Sequence, residues 1–303
     1  MPFQNHRPER GVLVVLGGVL VVRNEKDWLQ RNLRWHLDVQ GFDFIVVADN
    51  GSYDGTVKLI KEFRARDDRV LFRPLNRGVG FAQDAATLLG MRELVDKLNC
   101  DWVLPIDADE LWHSREFGTV RSALEYASVD TVQVDTFAYQ FFETEKDDST
   151  IEDPVLRLRV AQIEKQQKII FSRQLVPVIK EISIGNHWAR YTTPQKPPVV
   201  QIPSQQLARY HYRYNGPWDY ARRLLNQVEG FIMRKGESWL AGVPDSIGGG
   251  HVHYMYQQLK NGQYLSEYKR LLTIPPDRLE EGLASGRFVR IDDIARKIVA
   301  SDL

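Results

Sequence analysis

The sequence predicts an α/β protein with a mostly parallel sheet flanked by helices. Short apolar runs rich in valine and isoleucine alternate with amphipathic stretches over residues 12 to 112. Clusters of polar residues directly follow the ends of these apolar runs. Alternation of strand and helix favours parallel strands, and ligands of such sheets bind beyond the carboxyl ends of the strands. The polar clusters are therefore candidate functional residues.

The first half of the chain supplies the elements of this predicted sheet. The predicted strands are Val12–Val22, Phe44–Ala48, Val70–Arg73 and Trp102–Ile106. The predicted helices between them are Lys26–Val39, Asp54–Arg66 and Val79–Leu98. The first apolar run is shorter than the about 20 residues that a membrane-spanning helix needs, and its many valines suit a buried strand.

The second half has a different pattern. Strands are predicted at Thr131–Gln140, Val155–Val160, Lys168–Ser172 and Ile182–His187, with a polar loop at Glu143–Pro154 and an irregular loop at Tyr191–Pro203. Pro217–Arg234 predicts a helix, because Pro217 suits a first helical position and apolar residues recur on one face. We expect an α/β domain over residues 1–215 and a helical extension over 216–303 packed on it.

Composition limits the class of protein. Lysine plus arginine and aspartate plus glutamate number 40 each, so there is no basic excess of the kind that binds nucleic acid. The single cysteine, Cys100, is typical of a reducing compartment, and we predict a cytoplasmic location. No transmembrane segment is expected, and peripheral contact with a membrane stays open.

The strongest chemical signal is the acidic cluster Asp107-Ala108-Asp109-Glu110 at the end of an apolar strand. In extended backbone, Asp107 and Asp109 would project to the same side of the chain. Carboxylates paired in this way suit Mg²⁺ or Mn²⁺, which neutralises a diphosphate leaving group. The alternative is an acidic turn that caps a helix beginning near His113.

Three weaker signals also follow strands or precede helices. Asp49 and Asn50 open a turn in which Asp49 could accept from a pyrimidine N–H or a ribose hydroxyl. Arg23-Asn24-Glu25 could hold a base or a phosphate, and Arg77-Gly78 lies in a glycine-containing turn. Each of these patterns is also explained by loop geometry alone.

The order of the four motifs closely resembles the glycosyltransferase family 2 superfamily over residues 12 to 112. The resemblance implies a GT-A fold, a metal-binding D-x-D motif and transfer of a sugar from a nucleotide-diphosphate sugar, with inversion. The implied acceptor is a carbohydrate or a lipid-linked glycan. The DNGS and DADE variants resemble the branch near the family 92 glycosyltransferases. The resemblance also implies a set of donor-binding residues in the first three motifs, namely Arg23, Asn24, Glu25, Asp49, Asn50, Arg77 and Gly78.

A downstream segment, Arg209 to Tyr214, resembles the H-Y-x-R segment of that branch. The resemblance implies that His211 is a third metal ligand beside Asp107 and Asp109. Arg213 is placed to pair with donor phosphates, and Lys168 resembles a lysine that often precedes this segment. The chain departs from the family at Gln83-Asp84 and at Tyr214-Asn215, which leaves the donor's sugar open.

The general base has the weakest signal. It should be a carboxylate within hydrogen-bond reach of the acceptor hydroxyl. We choose Asp153 from the acidic residues of the predicted polar loop, most of which are expected to be solvated charges. His187 and Trp188 are candidates for the acceptor site, although Trp188 is equally compatible with core packing.

Two other functions stay open. A sugar-nucleotidyltransferase also uses strand-end carboxylates with a metal, but it should carry a glycine-rich loop where Arg23-Asn24-Glu25 stands. A binding scaffold could have kept the fold and lost catalysis, and the intact Asp107 and Asp109 argue against it. A nicotinamide-dependent oxidoreductase is disfavoured, because no G-x-G-x-x-G follows the first strand.

Overall fold

The structure of the protein is a computed structural model. It describes residues 14–75, 83–126, 133–193, 197, 199–203, 206–241, 250–291 and 294–300. The predicted turn residues Arg77 and Gly78 lie outside these ranges, as do the first two residues of the first predicted strand.

Four parallel strands form the first half of the sheet, as predicted. They are β1 (Leu16–Val22), β2 (Phe44–Asp49), β3 (Val70–Pro74) and β4 (Trp102–Ile106). The helices between them are α1 (Lys26–Arg34), α2 (Thr56–Arg64) and α3 (Gln83–Leu98), and α1 continues as a π-helical turn through Trp35–Val39. The strand order is β3-β2-β1-β4, so the ends of β1, β2 and β4 lie side by side at one edge of the sheet.

Further strands and helices follow. Most of these strands extend the same sheet, while Ile179–Ile182 and Ala189–Tyr191 pair with each other in a separate two-stranded sheet. The strands are β5 (Glu110–His113), β6 (Gln133–Thr144), β7 (Val160–Ser172), β8 (Ile179–Ile182), β9 (Ala189–Tyr191), β10 (Val199–Gln201), β11 (Ala208–His211), β12 (Thr273–Ile274) and β13 (Phe288–Arg290). The helices are α4 (Val120–Glu125), α5 (Pro154–Arg157), α6 (Gly216–Lys235), α7 (Gly250–Lys260), α8 (Tyr264–Leu272), α9 (Pro276–Ala284) and α10 (Ile294–Ala300).

The sheet continues from β4 through β7, β6 and β11 to β5. Strand β7 pairs antiparallel with both β4 and β6. Three short strands, β10, β11 and β12, pair in parallel with successive segments of the long strand β6. Strand β11 carries His211 and pairs antiparallel with β5, which starts at Glu110. This pairing joins the acidic cluster to the H-Y-x-R segment across about 100 residues of chain.

Three predictions for the second half were wrong. Of Val155–Val160, only Val160 is in a strand, and residues 155–157 belong to helix α5, because Asp153 caps that helix and Pro154 takes its first position. Only Ile182 of Ile182–His187 is in a strand, since Gly185 and Asn186 turn the chain with positive φ. The region Tyr191–Pro203, predicted to be irregular, contains β10 and the last residue of β9.

The core occupies both faces of the sheet. Successive strand residues point to opposite faces, so Leu20 packs with helices α1 and α2 on one face and Val19 packs against α3 on the other. A Cβ atom on Gly90 of α3 would lie 2.8 Å from a methyl group of Val19. The glycine therefore lets α3 approach β1 closely.

The C-terminal region has a cluster of its own and also joins the main core. Helices α6, α7 and α8 bury Leu224, Val252 and Tyr268 together. Strand β12 pairs with β6, strand β13 pairs with β7, and Ile298 of α10 belongs to the main core. Within the part of the chain that the structure describes, no helix combines the length and apolar character needed to cross a membrane.

Candidate active site

A cavity of about 460 Å³ lies at the carboxyl ends of β1 and β4. Its wall also includes residues of strands β7 and β11, of helices α3, α6 and α7, and of the turn after β8. The charged and amide side chains that line it are Arg23, Glu25, Asn50, Gln83, Asp107, Asp109, Glu110, Glu164, Arg209, His211, Arg213, Arg223, Asn226 and Gln227. Most of the predicted site residues that the structure describes therefore meet in one place.

The acidic cluster forms a turn, so the predicted extended backbone was wrong. The Glu110 amide donates to the Asp107 carbonyl oxygen at 3.0 Å. The alternative of a helix near His113 was also wrong, since Glu110–His113 is strand β5. Asp107 and Asp109 nevertheless both line the cavity.

Asn32 of α1 holds this turn from below. Its Nδ2 atom lies 3.0–3.1 Å from the carbonyl oxygens of Asp107, Ala108 and Glu110, and the side chain is fully buried. Sequence reasoning missed Asn32. The available signal was an asparagine on the face of α1 that otherwise carries Leu29 and Leu33.

A buried ionic network lies at the cavity floor. Glu110 is 1% exposed, and its carboxylate contacts Lys168 Nζ and the Arg209 guanidinium. Lys168 Nζ also lies 2.7 Å from Asp107 Oδ2. Burial alone would raise the pKa of Glu110, but the charges of Arg209 and Lys168 lower it well below its usual range. Lys168 thus contacts the acidic cluster from strand β7.

Asp109 faces two cationic groups. Arg223 Nη1 of α6 lies 3.1 Å from Asp109 Oδ2, and His211 Nε2 lies 3.6 Å from the same oxygen. Burial opposes ionisation of Asp109, yet Arg223 and His211 lower its pKa. For His211, burial favours the neutral ring, but Asp109 and Glu164 raise its pKa to about 9. Glu164 lies 3.8 Å from the other ring nitrogen of His211.

The three predicted metal ligands suit a hard divalent cation by their chemistry. Asp107, Asp109 and His211 line the same cavity and supply carboxylate oxygens and an imidazole nitrogen. His211 Nδ1 is buried and makes no hydrogen bond within the part of the chain that the structure describes. Over the described ranges, however, no three His, Cys, Asp or Glu side chains are grouped closely enough to hold an ion. Lys168 and Arg223 pair with the two aspartates instead.

The predicted Arg23-Asn24-Glu25 motif is covered by helix α6. Arg23 Nη2 lies 2.7 Å from Glu229, and Glu25 lies 3.0 Å from Arg223. Asn24 has a positive φ of 56°, which asparagine tolerates better than most residues. The motif therefore joins the sheet edge to the C-terminal region.

The turn after β2 is held by its own aspartate. Asp49 accepts hydrogen bonds from the backbone amides of Gly51 and Ser52, and only 5% of the residue is exposed. Asn50 lines the cavity, and its carbonyl oxygen accepts from Arg23 Nη1 at 2.9 Å. The structure brings Asn50 to the cavity and turns Asp49 toward the loop backbone.

The opposite end of the cavity involves α3 and the turn after β8. Gln83 Nε2 donates to Asp107 Oδ1 at 3.1 Å, and Gln83 Oε1 accepts from the Gly185 amide. His187 lines this end, while Trp188 is half exposed with the Arg190 guanidinium over its ring. Gln83 is one of the positions at which the sequence departs from the family pattern.

Asp153 has a structural environment. Both its carboxylate oxygens face Arg31, at 2.9 and 2.8 Å, and it caps α5 by accepting from the Val155 amide. Among the described residues, the carboxylates on the cavity wall are Glu25, Asp107, Asp109, Glu110 and Glu164, and Asp153 is not one of them. The structure does not bring the predicted base to the cavity.

Comparison with known families assigns the chain. The model of glycosyl transferase family 2 matches residues 19–182, more than half of the 303 residues. The protein therefore belongs to glycosyl transferase family 2 and has the GT-A fold that its sequence predicted. The resemblance to the family 92 branch stays a prediction. A comparison with curated proteins gave no match.

Two solved structures are similar over most of the chain. The mannosyltransferase PcManGT from Pyrobaculum calidifontis, solved with GDP-Man and Mn²⁺, is 14% identical with a TM-score of 0.42, covering 95% of this chain and 83% of that one. S. aureus TarS 1-349 is 10% identical with a TM-score of 0.41, covering 95% and 88%.

Proposed function

We propose that the protein transfers a sugar from a nucleotide-diphosphate sugar to a hydroxyl group of a carbohydrate or lipid-linked glycan, with inversion at the anomeric carbon. One observation carries the proposal. The chain belongs to glycosyl transferase family 2, and Asp107, Asp109 and His211 line a single cavity at the strand ends that basic side chains also line. This arrangement suits a diphosphate and its metal ion.

A Mn²⁺ or Mg²⁺ ion would be held by Asp107, Asp109 and His211 in this proposal. When bound, such an ion neutralises charge on the departing diphosphate. Lys168 and Arg223 now pair with the two aspartates, so binding requires the aspartates to exchange these partners for the ion. Arg223 would keep its contacts to Glu25 and Asp219, and the Nη1 group released from Asp109, together with Arg213, would be available to the diphosphate oxygens.

The nucleoside is assigned to the end of the cavity lined by Arg23 and Asn50, with Asn24 buried behind this lining and Asp49 holding the turn. The sugar and acceptor are assigned to the end formed by Gln83, Gly185 and His187. Arg77 and Gly78 stay predicted donor-binding residues. We retain the division into residues 1–215 and 216–303 and a cytoplasmic location as parts of the proposal, the latter on the basis of the single cysteine.

For the general base, the cavity favours Glu164 over the sequence-based choice, Asp153. Glu164 lines the cavity, whereas Asp153 is paired with Arg31. A base must lie within hydrogen-bond reach of the acceptor hydroxyl. Glu164→Gln should lower kcat by about 100-fold or more with little change in donor affinity. Asp153→Asn should mainly lower stability, and the reverse pattern would restore Asp153 as the base.

Ligand binding tests the donor site. Calorimetric titration of UDP, GDP, CDP and ADP, with and without Mn²⁺, should show Mn²⁺-dependent binding of one nucleotide. Asp109→Asn should abolish the Mn²⁺ dependence, because it removes a ligand charge. Asp96→Asn makes the same change at an exposed position on α3 and should bind as wild type. If none of the four nucleotides binds, the proposal is contradicted.

A further inference from the structure

Asn226 of α6 lines the cavity and carries a hydrogen-bond donor that no described residue uses. The residue is 9% exposed and lines the cavity with Arg23 and Asn50. Its Oδ1 atom accepts from Asn24 Nδ2 at 2.8 Å, while its own Nδ2 atom is buried and has no partner among the described residues. Buried amide groups are normally paired, so an unpaired one at a cavity indicates a ligand.

The orientation of this amide follows from a backbone group. The Tyr53 backbone amide can only donate, and it donates to Asn24 Oδ1 at 2.9 Å. Asn24 therefore turns Nδ2 toward Asn226, and Asn226 accepts this hydrogen bond with Oδ1. The Asn24 backbone is held in turn, because its amide donates to Ser52 Oγ at 2.9 Å and its carbonyl oxygen accepts from Arg222. The two asparagines form a fixed amide pair whose free donor is Asn226 Nδ2.

The amide pair lies at the nucleoside end of the cavity. Arg223 is three residues before Asn226 on the same helix and contacts both Glu25 and Asp109. The contacts then continue through Asp107 to Gln83 and Gly185 at the other end. A diphosphate bound at Asp107 and Asp109 thus has the amide pair on one side and the Gln83 end on the other.

We propose that Asn226 reads the nucleobase of the sugar donor, by donating from Nδ2 to a ring carbonyl oxygen. This inference rests on the proposed function and narrows its donor to a base that carries a carbonyl, such as uracil or guanine. The adenine ring has no carbonyl oxygen to accept this bond. Asn24 acts as the positioning residue, because it fixes which end of the Asn226 amide faces the ligand.

The test compares base selectivity in wild type, Asn226→Asp and Asn226→Ala. Asn226→Asp keeps the shape and the oxygen that faces Asn24, but it replaces the donor by an acceptor. Titrations use UDP, GDP and ADP, together with the uncharged nucleosides uridine and guanosine, so that repulsion between the introduced carboxylate and phosphate is separated from base recognition. Asn261→Asp makes the same change at an exposed position after α7 and serves as the control. Thermal melting verifies that each variant is folded.

Wild type should bind UDP or GDP more tightly than ADP. Asn226→Asp should weaken binding of the preferred nucleotide and of its nucleoside by about 5- to 150-fold. The ratio of the affinity for the preferred nucleotide to that for ADP should then fall toward one. Equal weakening of all three nucleotides, or no weakening, would overturn the base-reading role and leave the proposed function standing. Preference for ADP in wild type would also overturn it. Failure of wild type to bind any nucleotide would overturn both.

Discussion

The Lys168→Met variant tests whether the buried ionic network is needed to assemble the cavity floor. Lys168 is fully buried and contacts Glu110 and Asp107. Methionine keeps much of the aliphatic length and removes the charge. Glu110, at 1% exposure, would then keep Arg209 as the cation that it contacts directly.

The expected cost follows from these contacts. Breaking a buried ion pair by removing one partner costs about 3–5 kcal/mol, because the other charge stays buried. Arg209 still compensates Glu110, and Asp107 is 30% exposed and can be solvated, so the lower value of about 3 kcal/mol is expected. In a chain of 303 residues, that loss corresponds to a fall in Tm of roughly 5 °C.

Urea denaturation measures this loss against a matched control. Lys97→Met removes a lysine that is 71% exposed and lies 3.4 Å from Glu93, so its cost should stay below about 0.5 kcal/mol. The double variant Lys168→Met with Glu110→Gln should lose less stability than the two single variants together, by about 0.5–3 kcal/mol. Equal stability of Lys168→Met and Lys97→Met would refute the reasoning.

Two further predictions concern buried polar groups. Asn32→Asp places an acceptor against three carbonyl oxygens, so it should cost about 1–3 kcal/mol of stability and weaken Mn²⁺-dependent nucleotide binding. Gln30→Glu, exposed on the same helix, should change neither the stability nor the binding. Urea titration measures the stability and calorimetry the binding, and normal nucleotide binding by Asn32→Asp would contradict the role of Asn32 in holding the turn. Burial lowers the pKa of His36 to about 4. The neutral ring therefore makes its full contribution to the free energy of unfolding above the unfolded-state pKa of about 6.5, and roughly 3 kcal/mol of that free energy is lost as the pH falls toward 4. Urea titrations between pH 7.5 and 4.5 should show a smaller loss for His36→Gln, and an identical pH dependence would contradict this.

The sheet was predictable where the sequence carries long, regular patterns. Strand β4 has the predicted bounds, and β2 is one residue longer than predicted, because buried parallel strands need continuous apolar runs. Short apolar runs are ambiguous between strand and helix. Residues 155–160 were mistaken for a strand on that ground, although Asp153 followed by Pro154 is a helix-start signal.

The candidate site was predictable in part. Asp107, Asp109 and His211 could be placed in one cavity because the motif order resembles a known family. The helix α6 residues Arg223 and Asn226 were missed, since about 200 residues separate them from the Glu25 and Asn24 side chains that they contact. No local periodicity encodes such a contact.

Consumption of a nucleotide sugar tests the central claim most directly. The donor whose nucleotide binds best would be incubated with Mn²⁺ and a panel of carbohydrate and lipid-linked glycan acceptors, and release of the nucleoside diphosphate would be followed. Acceptor-dependent release by wild type and Asp96→Asn, and its loss in Asp109→Asn, is the predicted result. A donor that binds but is never consumed with any acceptor would contradict sugar transfer and identify the chain as a binding scaffold.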